Sequence, residues 1–129
     1  MKHNKLKSIQ DLGQSIWLDF FDRKIMDTGK LKKLIEDDGI RGVTANPSIF
    51  EKAINSSSDY EEDITVFSKQ ERSNEDTFFS LAVKDIKRAA DFFKSVYEDT
   101  NGHDGFVSIE VSPHLAHDTE GTIKQAREL

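Results

Sequence analysis

A chain of 129 residues, 36% hydrophobic and 33% charged with both signs mixed along it, has the makings of one globular unit around one core. The formal net charge of −6, with no basic stripe and no long single-sign block, argues against a nucleic-acid partner and against an interaction tail. The absence of cysteine excludes a disulfide framework, a zinc ribbon and a thiol nucleophile, and the opening MKHNKLKSIQDL has no apolar run behind its basic residues, so neither a signal peptide nor a membrane span is expected and the chain reads as soluble and cytoplasmic.

Strand-like and helix-like segments then take turns. SIWLDFF, Ser15 to Phe21, is rich in strand formers. TGKLKKLIEDDG follows with Thr28 as a helix cap, Leu31, Leu34 and Ile35 at helical spacing and Gly39 as the stop. RGVTAN is a second short strand, after which Asn46 fits the cap and Pro47 the first position of a helix. Ser56, Ser57 and Ser58 mark a turn, and a charged helix through Tyr60, Ile64 and Phe67 comes next. From Asn74 to Tyr97 the apolar residues Phe79, Val83, Ile86, Ala90, Phe93 and Tyr97 recur every three or four positions, the pattern of one or two amphipathic helices. DTNGHDG is a turn, FVSIEV a third strand, and DTEGTIKQAREL a helix opening on an Asp118 cap. The order predicts the α/β class, a parallel sheet with helices packed outside it.

Side chains alternate across a strand, and the three strands repeat one pattern. Ile16, Leu18 and Phe20 oppose Ser15, Trp17 and Asp19; Val43 and Ala45 oppose Gly42, Thr44 and Asn46; Val107, Ile109 and Val111 oppose Phe106, Ser108 and Glu110. One face is apolar and can take the helices. The other ends in Asp19, Asn46 and Glu110 at the carboxyl end, where parallel α/β folds bind ligands. Asn46 also has a plain role as the cap of the following helix, and Asp19 as a turn residue. Glu110 within FVSIEVS is costly to bury without a partner or a task.

WLDFF, GVTANPSIFEKAI and DGFVSIEVSPHLAHDTEGTIKQAREL resemble the three opening strands of a transaldolase of the longer bacterial type, from about Gln14 to Leu129. The resemblance implies the first three βα units of a (β/α)8 TIM barrel, residues 1–129 forming its truncated amino-terminal part. It implies transfer of a dihydroxyacetone unit from sedoheptulose 7-phosphate or fructose 6-phosphate to an aldose phosphate through a lysine Schiff base, a transferase reaction of the pentose phosphate pathway that needs no cofactor and no metal. Asp19 matches the acid and base acting on the donor's C4 hydroxyl, and Glu110 the glutamate that relays protons through a water. Asn46 matches the asparagine that binds the dihydroxyacetone part, with Thr44 and Ser48 beside it. Ala45 stands where the family often has serine or threonine, and Asp22 and Arg23 lie in a loop that varies.

A barrel of this kind needs about 250 residues, and the Schiff-base lysine belongs to the family's fourth strand. The last helix runs to Leu129 with no glycine, asparagine or proline to end it. The expectation is therefore an amino-terminal portion inactive by itself, or else a noncatalytic remnant or a half-barrel self-associating through an unpaired sheet edge. Every lysine falls on a predicted helix or turn surface, Lys24 nearest to a strand end. Two rival readings are weaker. His114, His117 and Asp118 near Glu110 and Asp19 are metal-ligand types, but SPHLAHDT reads as loop. The stripe from Phe79 to Tyr97 is too short for a coiled-coil seam and is better used against the sheet.

Overall fold

The computed structural model describes residues 4–70 and 72–129; of the opening stretch, residues 1–3 lie outside the described residues. Strands β1 (Trp17–Asp19), β2 (Gly42–Thr44) and β3 (Phe106–Val107) form one parallel sheet in the order β1-β2-β3. The register sets Leu18 beside Val43 and Val43 beside Val107, and Asp19 beside Thr44. This is the parallel α/β arrangement that the alternating elements predict. The strands are shorter than the apolar runs. The β3 ladder ends at Val107, with one further bond from the Ser108 N–H to the Val43 carbonyl, so Glu110 lies beyond the paired part and is exposed rather than buried in a strand.

Seven α-helices occur among the described residues: α1 (Lys5–Gln10), α2 (Arg23–Asp27), α3 (Lys30–Asp38), α4 (Pro47–Ser56), α5 (Glu61–Ser68), α6 (Asn74–Asp99) and α7 (Thr119–Glu128). Their starts follow cap chemistry. Asn46 Oδ1 accepts the Ile49 N–H ahead of Pro47, and Asp118 accepts the Gly121 N–H, each satisfying a donor that a helix start leaves unpaired. Gly39, at φ +72°, ends α3 in the left-handed conformation that glycine adopts at least cost. Thr28 does not open that helix. An extra short helix, α2, is capped by Asp22, and Thr28 closes it by donating its N–H to Lys24, while Gly29 in the left-handed region starts α3.

The core joins the sheet to the helices: Val43 and Ala45 from the β2 segment, Phe21, Ile25, Met26 and Leu31 from the first crossover, Phe50 from α4, and Ala82, Ala89, Phe93 and Val96 from α6. Phe20 is 46% exposed and Phe21 1%, the reverse of the alternation expected through Phe20, because β1 ends at Asp19 and the chain turns there. The α6 stripe is displaced in part, since Phe93 is buried and Ile86 packs against the core as expected. Its buried residues are Leu81, Ala82, Asp85, Ala89, Phe93 and Val96, whereas Ala90 and Tyr97 of the expected stripe are exposed. One residue of phase is about 100° of rotation on a helix. Gly42 is required by proximity: a Cβ there would come within 2.6 Å of the Trp17 ring and 2.8 Å of the Phe106 carbonyl oxygen.

Candidate active site

Asp19 is the last residue of β1 and Thr44 the last of β2, and the parallel register sets them side by side. The Thr44 hydroxyl donates to Asp19 Oδ1 at 2.7 Å. That bond fixes one carboxylate oxygen and leaves the second for another donor. Asn46 sits two residues further on, where its side-chain oxygen caps α4 at 2.9 Å from the Ile49 nitrogen. The plain role is therefore real, yet it uses only the oxygen, and the amide nitrogen has no hydrogen-bond partner among the described residues. Ser48 lies exposed on the first turn of α4, and Glu110 lies exposed past β3. Neither is joined by a hydrogen bond to Asp19, Thr44 or Asn46 among the described residues.

A cavity of about 340 Å³ opens beside Asp19, with Phe20, Asp22, Ile49, Lys52 and Ser56 among its walls. Its lysine is Lys52, not Lys24, which lines a neighbouring hollow with Phe20 and Thr28. Position in the sequence hid this, because Lys52 is on the exposed side of a helix by pattern and comes near Asp19 only through the parallel pairing of β1 with β2. A larger hollow, about 770 Å³ between α6 and the end of α7, is lined by none of the candidate residues. Size does not designate the site here; the strand ends do. His114 belongs to a short 3₁₀ turn, Pro113–Leu115, and Asp118 is engaged in its cap. No group of three or more potential metal ligands gathers among the described residues, and no helix among them is long and apolar enough to cross a membrane.

Four residues after Asp19 a partly buried charge cluster begins that the sequence reading missed. Arg23 bonds Asp85 at 2.9 Å and Asp63 at 2.7 Å, and Lys84 bonds Asp63 at 2.7 Å. Burial pulls the Arg23 guanidinium down, but the hydrogen bonds and charges of Asp85 and Asp63 outweigh it and its pKa is raised. The Lys84 hydrogen bond, opposed by burial and aided by Arg23, holds the Asp63 carboxyl below its usual value. Burial first, then the Asp85 charge, pushes the Tyr60 hydroxyl up. That hydroxyl has no hydrogen-bond partner among the described residues, so Asp85 acts on it through charge rather than through a formed bond.

A depressed carboxylate stabilises the fold above its unfolded pKa, near 3.9, and that contribution disappears as pH falls through the lower folded value. Asp63→Asn is accordingly expected to lower the urea midpoint at pH 7 and to lose its effect progressively below about pH 4. A variant-to-wild-type gap that stays constant down to pH 2.5, a value about one and a half units below that reference, would remove Asp63 from the cluster's energetics.

The profile of the transaldolase/fructose-6-phosphate aldolase family matches residues 16–129. Relatives named transaldolase include those of Trichodesmium erythraeum, 49% identical over 126 residues, and Saccharopolyspora erythraea, 44% identical over 127, each match covering 98% of this chain. A protein of Nostoc punctiforme named transaldolase 2 is 46% identical over 127 residues. The matches cover 33%, 34% and 33% of those relatives, so the chain spans about a third of their length. With the family profile matched over nearly the whole sequence, and Asp19 and Thr44 held together at the carboxyl ends of parallel strands, the chain belongs to the transaldolase/fructose-6-phosphate aldolase family.

Proposed function

We propose that residues 1–129 are the first three of eight βα units of a transaldolase barrel, and that the whole enzyme moves a dihydroxyacetone unit from sedoheptulose 7-phosphate or fructose 6-phosphate to an aldose phosphate in the cytoplasm, as a step of the pentose phosphate pathway. The observation that carries this reading is the Asp19 carboxylate, oriented by Thr44 at a strand end and open to a cavity. With the ketose held as a lysine Schiff base, Asp19 removes the C4 hydroxyl proton. The C3–C4 bond then breaks, its electrons pass to the iminium to give an enamine, and the shortened aldehyde leaves. In the second half the enamine attacks the acceptor aldehyde and Asp19 returns the proton to the new alkoxide. Thr44 holds Asp19 in aim, the Asn46 amide nitrogen donates to a hydroxyl of the three-carbon unit, Ser48 adds a second donor, and Glu110 relays protons through a water as the carbinolamine forms and collapses. The reaction needs no cofactor.

A nucleophilic lysine must be desolvated or placed beside another cation to attack a carbonyl at neutral pH. Lys24 and Lys52, the lysines nearest the strand ends, are both exposed. The 129 residues alone are therefore expected to trap nothing when mixed with fructose 6-phosphate and borohydride and weighed. Fused to the remaining two thirds of the Trichodesmium erythraeum relative, they are expected to gain one reduced three-carbon unit. A specific adduct on the short chain would make one of its own lysines the nucleophile, and an inactive, folded fusion would sink the reading. The open β3 edge at Val107, with Ile109 and Val111 beyond it, also favours association of the short chain with itself, which a concentration-dependent elution volume tests.

A further inference from the structure

We infer that Arg23 is a positioning residue for this reaction, fixing the corner after β1, and with it Asp19, against the segment that follows α4 and against α6; the inference rests on the role proposed for Asp19. Arg23 is the first residue of α2. Its guanidinium donates in three directions: Nε to both Asp85 oxygens at 2.9 and 3.0 Å, Nη2 to Asp63 at 2.7 Å, and Nη1 to the Asp59 carbonyl oxygen at 2.6 Å. Its fourth contact is with the Tyr60 ring, 4.1 Å below the guanidinium carbon. Asp59 and Tyr60 lie in a 3₁₀ turn and Asp63 in α5, on the segment that leaves the helix capped by Asn46, while Asp85 lies on α6. One side chain thereby ties the corner bearing Asp19 to the segment beyond the far end of α4, and both to the helix that covers the sheet.

Stability alone does not call for such a cluster, since well-packed apolar residues hold helices together as well as buried ion pairs do. What a rigid planar donor fork adds is direction. The five residues of α2 are too few to hold a helix independently, and the apolar anchors Phe21, Ile25 and Met26 attract without specifying angle. A catalytic carboxylate displaced by an ångström loses about two orders of magnitude in rate, so the corner after β1 needs an angular constraint that burial does not supply. Arg23 and Lys84 balance Asp63 and Asp85, so the cluster carries no net charge as it runs from the buried Asp85 out to the exposed Lys84.

The test is NMR on the 129-residue chain, reading the side-chain rotamer of Asp19 from its three-bond couplings in the folded signals. Wild type is expected to show one Asp19 rotamer. Arg23→Lys, which keeps the charge and loses the fork, and Arg23→Met combined with Asp85→Leu, which removes the pair without stranding a charge, are both expected to average Asp19 over rotamers while the Phe50 and Phe93 core signals stay in place. An Asp19 that keeps its single rotamer in Arg23→Lys, or in the double variant with its core intact, overturns the inference. Should the double variant fail to fold, Arg23→Lys decides. Because this readout is geometric, an inactive fusion enzyme would sink the transaldolase reading while leaving the result for Arg23 as it stands.

Discussion

Replacing Arg23 alone by methionine is expected to destabilise the fold by about 3–5 kcal/mol, the cost of stranding a buried charge. The partner left behind is Asp85, whose side chain is 3% exposed in the middle of α6. Asp63 fares better, since Lys84 still bonds it at 2.7 Å. The loss is a large share of a domain stability of about 5–15 kcal/mol. Adding Asp85→Leu should recover most of it, because the second change removes the stranded carboxylate rather than rebuilding a bond. Lys84→Met is the contrast. The Lys84 side chain is 58% exposed, and an exposed pair contributes under about 1 kcal/mol. Urea midpoints of the four proteins decide the matter. An Arg23→Met variant within about 1 kcal/mol of wild type, the scale of an exposed pair, would mean that Asp85 finds water or another donor and is not stranded.

The same residues show where the sequence was legible. Caps and stops are local chemistry, so Asn46 with Pro47, Asp118 and Gly39 mark helix boundaries correctly, and the alternation of Val43 and Ala45 with Thr44 and Asn46 separates the faces of the second strand. Asp19 beside Thr44 follows from strand order and register. Helix α2 is not legible, because five residues hold little more than one turn of pattern and the Thr28–Gly29 pair looks like a start as readily as an end. The phase of α6 is misread for one reason. Asp85 occupies the centre of the buried face, and a stripe drawn through apolar residues alone must rotate away from it. Nothing near Arg23 in the chain announces a partner 62 residues away. The charge that makes Asp85 look exposed is the charge that Arg23 neutralises.

Phe50→Ala is expected to cost about 3–5 kcal/mol, the range for removing a large aromatic from a core. Phe50 is 1% exposed and sits on α4 between two other rings, 5.1 Å from Phe21 and 6.2 Å from Phe78 between centroids. Those rings come from the corner after β1 and from α6, so this one side chain packs the helix that Asn46 caps against both. Its removal forfeits the transfer energy of the ring and two aromatic contacts of about 0.5–1.5 kcal/mol each. The gap is hard to close, because Phe21 is itself 1% exposed and held by the turn that follows Asp19. Phe106→Ala serves as the control: at 44% exposed, with Tyr97 its ring partner at 5.5 Å, it should cost roughly 1 kcal/mol or less, near the centre of the usual range for single substitutions. Urea unfolding followed by Trp17 fluorescence measures both. Equal midpoints for the two variants would show that the Phe21, Phe50 and Phe78 stack is not what holds α4 to the sheet, and the packing beneath Asn46 would then have to be sought in Ile49 and Ala53.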